Sequence, residues 1–248
     1  MLLSSDNARR ERNKEKLLSL LTFLKEETYS DFNTLMMFFG FRGHKSLYTL
    51  LNKAIKMGLV IKHEMDLNSH KLSLWGITND GIAVVYKPGE QFFPQRFEPC
   101  RLSGWSLDHH LKNQSIRLIL EGKGATDWLH GDRATYRSRY NVKHRPDGLM
   151  ALPDGRLFAV ETELSLKTKR RYQSIMASHL QARTEKHWFY VFYITPDEAK
   201  RNALRAMFNS ITHVTALNEH VLLEQRHRNV FRFYTIDELK NLELHNYA

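Results

Sequence analysis

The chain has 248 residues, 42% of them hydrophobic, which suffices for one large or two ordinary packed domains and excludes wholesale disorder. Its one cysteine, Cys100, excludes an intrachain disulfide framework and a Cys-rich zinc site. The formal net charge of +10 favours a polyanionic partner, because cationic side chains that neutralise phosphates release condensed counterions.

Leu17, Leu18, Leu20, Leu21 and Leu24 recur near the 3.6-residue period and predict a first helix. Ser30 is the expected N-cap of a short second helix carrying Phe32, Leu35 and Met36. Gly40 and Gly43 bracket a turn. Leu47, Tyr48, Leu50, Leu51, Ala54 and Ile55 then give a third helix, which Gly58 ends. Leu59–Ile61 and Leu72–Trp75 read as two strands around a polar loop from Asp66 to His70, and Ile77-Thr78 leads into a short helix containing Gly81. This is the element order of a winged helix-turn-helix, which lays its third helix in the major groove and its hairpin beside the backbone. The polar face of that helix supplies Arg42, His44, Lys45, Ser46, Thr49, Asn52, Lys53 and Lys56, types that suit phosphates and base edges. The hairpin adds Lys62, His70 and Lys71. A helical dimerisation domain with a solvated basic face fits the same pattern. Residues 1–87 are expected to form this domain, and the Pro- and Gly-punctuated stretch 88–105 a linker.

Residues 106–248 read as α-β-β-α-β-α-β, a mixed sheet with helices on its faces. A helix spans Leu107–Leu120. Asp147–Leu152 and Arg156–Glu161 form a hairpin about the turn Pro153-Asp154-Gly155. A basic helix follows from Thr168 to about Ala182, and the apolar run Trp188–Ile194 suits a strand buried on both faces. A helix over Pro196–Phe208, a strand over Val230–Tyr234 and a helix over Ile236–Leu242 complete the order. Between Tyr136 and Arg145, basic residues alternate with aromatic ones. Arg137, Arg139 and Arg145 can follow phosphates while rings stack on bases, or the run is an exposed basic loop whose tyrosines pack.

The chemistry concentrates at the hairpin. Asp147 opens one strand and Glu161 ends the other, so an antiparallel register can set their carboxylates side by side. Two carboxylates and a nearby carbonyl make a hard oxygen site for Mg²⁺ or Mn²⁺, which would polarise a scissile phosphate. Glu163 lies two residues on and shares the face of Glu161, and three crowded acids repel unless a cation offsets them. Lys167 can offer its ammonium to the phosphate or to a leaving oxygen, with Lys169 and Arg170 beyond it. A hairpin with solvated acids is the bland alternative. His110 is either a metal-holding or proton-handling residue or a partly buried structural histidine. No His-x-His pair accompanies a tyrosine nucleophile, and nothing in their spacing singles out Tyr136, Tyr140 or Tyr172.

Pro146-Asp147 followed by Glu161-Thr162-Glu163 resembles the PD-(D/E)xK nuclease signature, with Glu163 where the lysine usually stands and Lys167 as its substitute. The run from Glu161 to Tyr172 is similar to the E-x-E-L-S-x-K-x-x-x-R-Y block of the replication-relaxation family, which includes the MobC-type mobilisation relaxases. Leu107-Asp108-His109-His110-Leu111, with Arg117 further along, is similar to that family's helical histidine motif. The resemblance implies an α+β protein, an N-terminal winged helix-turn-helix followed by a PD-(D/E)xK restriction-endonuclease-like domain over residues 106–248. It implies a plasmid mobilisation relaxase that binds an origin of transfer as duplex and single strand and nicks one strand to start conjugative transfer. Asp147, Glu161, Glu163, Lys167 and His110 would be its catalytic set, with Mg²⁺ or Mn²⁺ on Asp147 and Glu161. An accessory mobilisation protein and a coupling protein would be further partners. The competing reading is a non-catalytic DNA-binding regulator of plasmid replication or copy number, and a double-strand nuclease is a third. No membrane association is expected, since no apolar run reaches the ~18–20 residues of a span, no secretory leader is evident and no basic amphipathic segment stands out. A cytoplasmic location is the expectation.

Overall fold

The computed structural model describes residues 6–67, 70–216 and 219–247 of a mixed α+β protein. The chain divides into two compact units, Met1–Ser115 and Ile116–Ala248.

The first unit runs α1 (Asp6–Glu27), β1 (Tyr29–Asp31), α2 (Phe32–Phe39), α3 (His44–Lys56), β2 (Val60–Leu67), β3 (His70–Ile77) and α4 (Asn79–Val85), then enters α5 (Gly104–Gly122). Leu17, Leu20, Leu21 and Leu24 of α1 are buried, and so are Leu47, Leu50, Leu51 and Ala54 of α3, at the spacing that puts one face of a helix inward. A three-stranded antiparallel sheet has β3 at its centre, with Tyr29 opposite Gly76 and Val60 opposite Ile77. The N-cap of α2 is Asp31 rather than Ser30: the Asp31 carboxylate accepts from the Thr34 amide at 2.7 Å. Ser30 is held inside β1 and donates its hydroxyl to Gln114 Oε1 at 2.7 Å, so it has no part in the cap. The hairpin strands extend through the polar residues expected to form a loop, pairing Asp66 with Lys71 and Leu67 with His70. Residues 68 and 69 and the His70 side chain lie outside the described set.

The stretch 88–105 is not a free linker. The Phe97 amide donates to the Ile77 carbonyl at 2.9 Å, and the ring is buried with Leu74 and Leu107. That ring lies so close over Gly76 that any Cβ there would meet it at 2.0 Å. Proline removes periodicity from a sequence without preventing an aromatic anchor, and the division between units consequently falls later, inside α5.

The second unit continues through β4 (Thr126–His130), α6 (Ala134–Arg139), β5 (Gly148–Ala151), β6 (Leu157–Thr162), α7 (Lys169–Thr184), β7 (Tyr190–Thr195), α8 (Glu198–Ser210), β8 (His213–Ala216), β9 (Glu219–Leu222), α9 (Gln225–Arg228), β10 (Phe231–Thr235) and α10 (Ile236–Lys240). Its five-stranded sheet has the order β10-β7-β6-β5-β4, with β6, β7 and β10 parallel and β4, β5 and β6 antiparallel. Side chains alternate between two cores. Ala159, Val191 and Tyr193 join Tyr172, Ile175 and Met176 of α7, whereas Phe158, Val160, Phe192 and Ile194 join Ile116, Ile119 and Leu120 of α5. The alternation carries Glu161, next but one to Ala159, onto the α7 side. The edge strand β4, the helix α6 and the β8–β9 hairpin were not expected from the sequence. In α6 the Tyr136 ring is buried while Arg137 and Arg139 are exposed, so the basic-aromatic run folds partly as a helix with its tyrosine packed.

Candidate functional site

The β5–β6 register ends with Gly148 opposite Val160, which leaves Asp147 and Glu161 each one residue beyond that last pair, at the same end of the hairpin. The Asp147 amide donates to the Val160 carbonyl at 3.0 Å, and its Oδ2 accepts from the Thr162 amide at 2.7 Å. The end of β4 clamps this segment from the other side. The Gly131 amide donates to the Asp147 carbonyl at 3.0 Å, and a Cβ on Gly131 would lie 1.8 Å from the Pro146 carbonyl oxygen.

Glu161 is buried, and two imidazoles converge on one of its oxygens. His144 Nε2 lies 2.8 Å from Glu161 Oε1 and His179 Nε2 lies 3.0 Å from the same atom. His179 sits on the inner face of α7, fully buried, with its ring against Trp188, Tyr193 and Phe231. His144 belongs to the loop before β5, and its amide donates to Ser178 Oγ at 2.9 Å, which ties that loop to α7. The ligand atoms of His144, Glu161 and His179 all lie within 4.8 Å of one another, a set able to hold a metal ion.

Burial opposes ionisation of Glu161, but the charge of His144 and the hydrogen bonds from both imidazoles outweigh it and hold the carboxyl at about 2. Burial pushes the His179 imidazole below its ordinary value in spite of the neighbouring carboxylate, so a neutral ring donates its Nε2–H. On the adjacent strand Tyr193 stands opposite Glu161. Its hydroxyl is buried with no hydrogen-bond partner among the described residues, and burial followed by the Glu161 and Glu163 carboxylates pushes it far above the usual phenol range.

Glu163 is anchored by its amide on the Ile194 carbonyl at 2.9 Å and is buried. The Lys167 ammonium reaches both of its oxygens, Oε2 at 2.6 Å. Burial raises the Glu163 carboxyl despite that ammonium. The Lys167 amide donates to the Tyr172 hydroxyl at 3.1 Å, and Thr168 caps α7 by accepting from the Arg171 amide. Lys169 and Arg170 are exposed at the start of α7, as is Arg145 beside the hairpin.

Asp147 and Glu161 thus lie at the same end of the hairpin, with Glu163 and Lys167 paired two and six residues beyond Glu161. His110 has other company. Its Nε2 lies 2.9 Å from the Glu27 carbonyl oxygen and 2.8 Å from Gln114 Nε2, and its ring packs on Tyr29, all within the first unit. Of its two readings, those contacts favour the structural one. The histidines that meet Glu161 are His144 and His179, which no sequence motif singles out. His144 stands inside the Lys143-His144-Arg145 run, where its basic neighbours mask a ligand role. His179 was hidden in a basic helix, although its spacing from Tyr172, Ile175 and Met176 places it on the apolar face.

In the first unit Arg42, His44, Lys45, Thr49, Asn52 and Lys53 are exposed on and just before α3, and Lys71 is exposed on β3. No helix among the described residues is long and apolar enough to cross a membrane. Comparison of the chain with protein-family models, with curated proteins and with solved structures gives no match.

Proposed function

We propose that the protein is a metal-dependent DNA endonuclease of the relaxase type that nicks one strand. The observation that carries this reading is the location of Asp147 and Glu161 at the same end of the β5–β6 hairpin, close to the Glu163–Lys167 pair, in a chain of net charge +10. A divalent cation held by this group, Mg²⁺ or Mn²⁺, would supply Lewis-acid polarisation of the scissile phosphate. The chain's own residues do the rest. The Thr162 amide fixes the Asp147 carboxylate, and Lys167, partly exposed, presents positive charge where the transition state gains negative charge. The order of α1 to β3 and the exposed polar face of α3 support a winged helix-turn-helix that binds duplex. The substrate, plasmid DNA at an origin of transfer, with an accessory mobilisation protein and a coupling protein as partners, follows from the E-x-E-L-S-x-K block alone.

The test is relaxation of supercoiled plasmid with Mg²⁺ or Mn²⁺ against EDTA. Asp147→Ala is expected to abolish the open-circular product and leave DNA binding nearly intact. Undiminished relaxation by that variant would refute the site. Linear product would point to double-strand cleavage. A wild-type protein that binds DNA and never nicks it would be a regulator instead, a reading favoured by the exposed face of α3.

A further inference from the structure

We propose that His144, Glu161 and His179 bind one divalent transition-metal ion of the class that accepts imidazole nitrogen, such as Mn²⁺, Co²⁺ or Zn²⁺, and that Mg²⁺ does not fill this site. The three donors come from three elements, the loop before β5, the end of β6 and the middle of α7, and their ligand atoms converge within 4.8 Å. Two nitrogens and a carboxylate oxygen form the mixed set that borderline ions prefer, whereas Mg²⁺ favours oxygen ligands and keeps several waters. The spacing also suits an ion. With bonds of about 2.1 Å, adjacent ligands stand roughly 3.0 Å apart in an octahedron and about 3.4 Å apart in a tetrahedron. The Nε2–Oε1 separations of 2.8 and 3.0 Å need shifts of only a few tenths of an ångström.

A purely structural His–Glu–His hydrogen-bonded group explains the same distances but leaves the Tyr193 hydroxyl unexplained. That group is buried on the next strand, opposite Glu161, without a partner among the described residues. Such a hydroxyl marks a place where a water or an ion completes the hydrogen bonding. His144, with its side chain 16% exposed, lies on the side through which an ion can enter, while His179 closes the inner side at 0%. Binding rests on this geometry alone; only a part for the ion in strand cleavage rests on the nuclease reading.

The experiment uses the full chain stripped with EDTA and titrated with Co²⁺, followed by visible d–d absorption, and then with Mn²⁺ by paramagnetic resonance. One Co²⁺ per chain is expected, displaced by Mn²⁺ or Zn²⁺ but not by a large excess of Mg²⁺. His144→Ala and Glu161→Gln are expected to lower Co²⁺ affinity at least about tenfold, and His220→Ala, on β9, to leave it unchanged. Circular dichroism checks that each variant is folded, and His144→Ala, the least buried of the three positions, keeps the test open should the buried ones fail. The proposal falls if folded wild-type protein takes up no stoichiometric Co²⁺ or Mn²⁺, if Mg²⁺ displaces them freely, or if His144→Ala binds like wild type. Stoichiometric Co²⁺ without plasmid nicking would sink the nuclease reading and leave the metal site standing. Nicking with Mg²⁺ and no Co²⁺ uptake would do the reverse.

Discussion

Gly131→Ala is expected to separate the packing of the second unit from its chemistry. Gly131 follows β4 and bonds the carbonyl of Asp147, and a Cβ there would lie 1.8 Å from the Pro146 carbonyl oxygen. Real Cβ contacts essentially never fall under 3.0 Å, so the gap must open by at least 1.2 Å, the difference of the two values. The Pro146 oxygen belongs to the backbone, and no rotamer change relieves the clash. Overpacking of this kind costs about 1–3 kcal/mol. The peptide that must move joins Pro146 to Asp147, and a displacement of ~1 Å at a reacting group lowers rates by roughly 100-fold. Denaturant unfolding followed by tryptophan fluorescence reads the first effect, and time courses of plasmid relaxation read the second. DNA affinity, assigned to α3, is expected to stay at the wild-type level. An alanine variant as stable as wild type would refute the packing argument, and one that is destabilised yet nicks at the wild-type rate would refute the positioning argument. Gly148→Ala is a control of graded severity. Its Cβ would meet the Trp128 ring at 2.5 Å, and a side chain can give way where a carbonyl cannot.

Acid is expected to destabilise the second unit in two overlapping steps. The Glu161 carboxyl lies at about 2 in the folded chain against an ordinary 4.5, so its contribution is complete above about 4.5 and is lost as pH falls toward 2. At about 1.4 kcal/mol per pH unit that contribution is on the order of 3 kcal/mol. His179, held below its ordinary 6.5 by burial, resists protonation when folded and so withdraws stability as pH falls below 6.5. Denaturant midpoints measured from pH 7 to 3 on metal-free protein should therefore decline throughout, and a flat profile would contradict the buried His–Glu–His arrangement. In the first unit, Lys45→Ala and Lys53→Ala should each reduce the slope of log K against log salt for DNA binding by roughly 0.9, the share of one phosphate contact. Slopes that do not move would remove α3 from the interface.

Periodic patterns carried the parts of the fold that one element can announce by itself. The leucines of α1, the inward positions of α3 and the continuous apolar strand β7 were readable because burial imposes their spacing. The β5–β6 hairpin was readable because the turn at Pro153-Asp154-Gly155 joins two short apolar runs and fixes their register. Features that depend on a distant partner were not. β4, with the sequence Thr-Asp-Trp-Leu-His, is an edge strand with a register shift between Thr126 and Leu129 and a positive φ at Asp127, so it shows no clean alternation. Phe97 anchors its stretch only because Gly76, on β3, leaves room for its ring. His144 and His179 stand 17 and 18 residues from Glu161 in opposite directions along the chain, a spacing with no local signature.

The same geometry changes the argument for a cation. In the sequence alone, three crowded acids call for a cation to offset their repulsion. In the structure each carboxylate has its own compensation: a backbone amide on Asp147, two imidazoles on Glu161 and an ammonium on Glu163. Crowding alone therefore makes no case for a cation, and the site at His144, Glu161 and His179 rests instead on the convergence of the two imidazoles on one carboxylate oxygen. A concrete consequence is that EDTA should leave the second unit folded, with near-ultraviolet circular dichroism unchanged. Adding Mn²⁺ at 100 times its dissociation constant should then raise stability by about 2.7 kcal/mol, the increment of one site that binds only the folded chain. Unfolding by EDTA would show that the hydrogen bonds and ion pairs do not balance these carboxylates. A Mn²⁺ increment that survives Glu161→Gln would place the ion elsewhere.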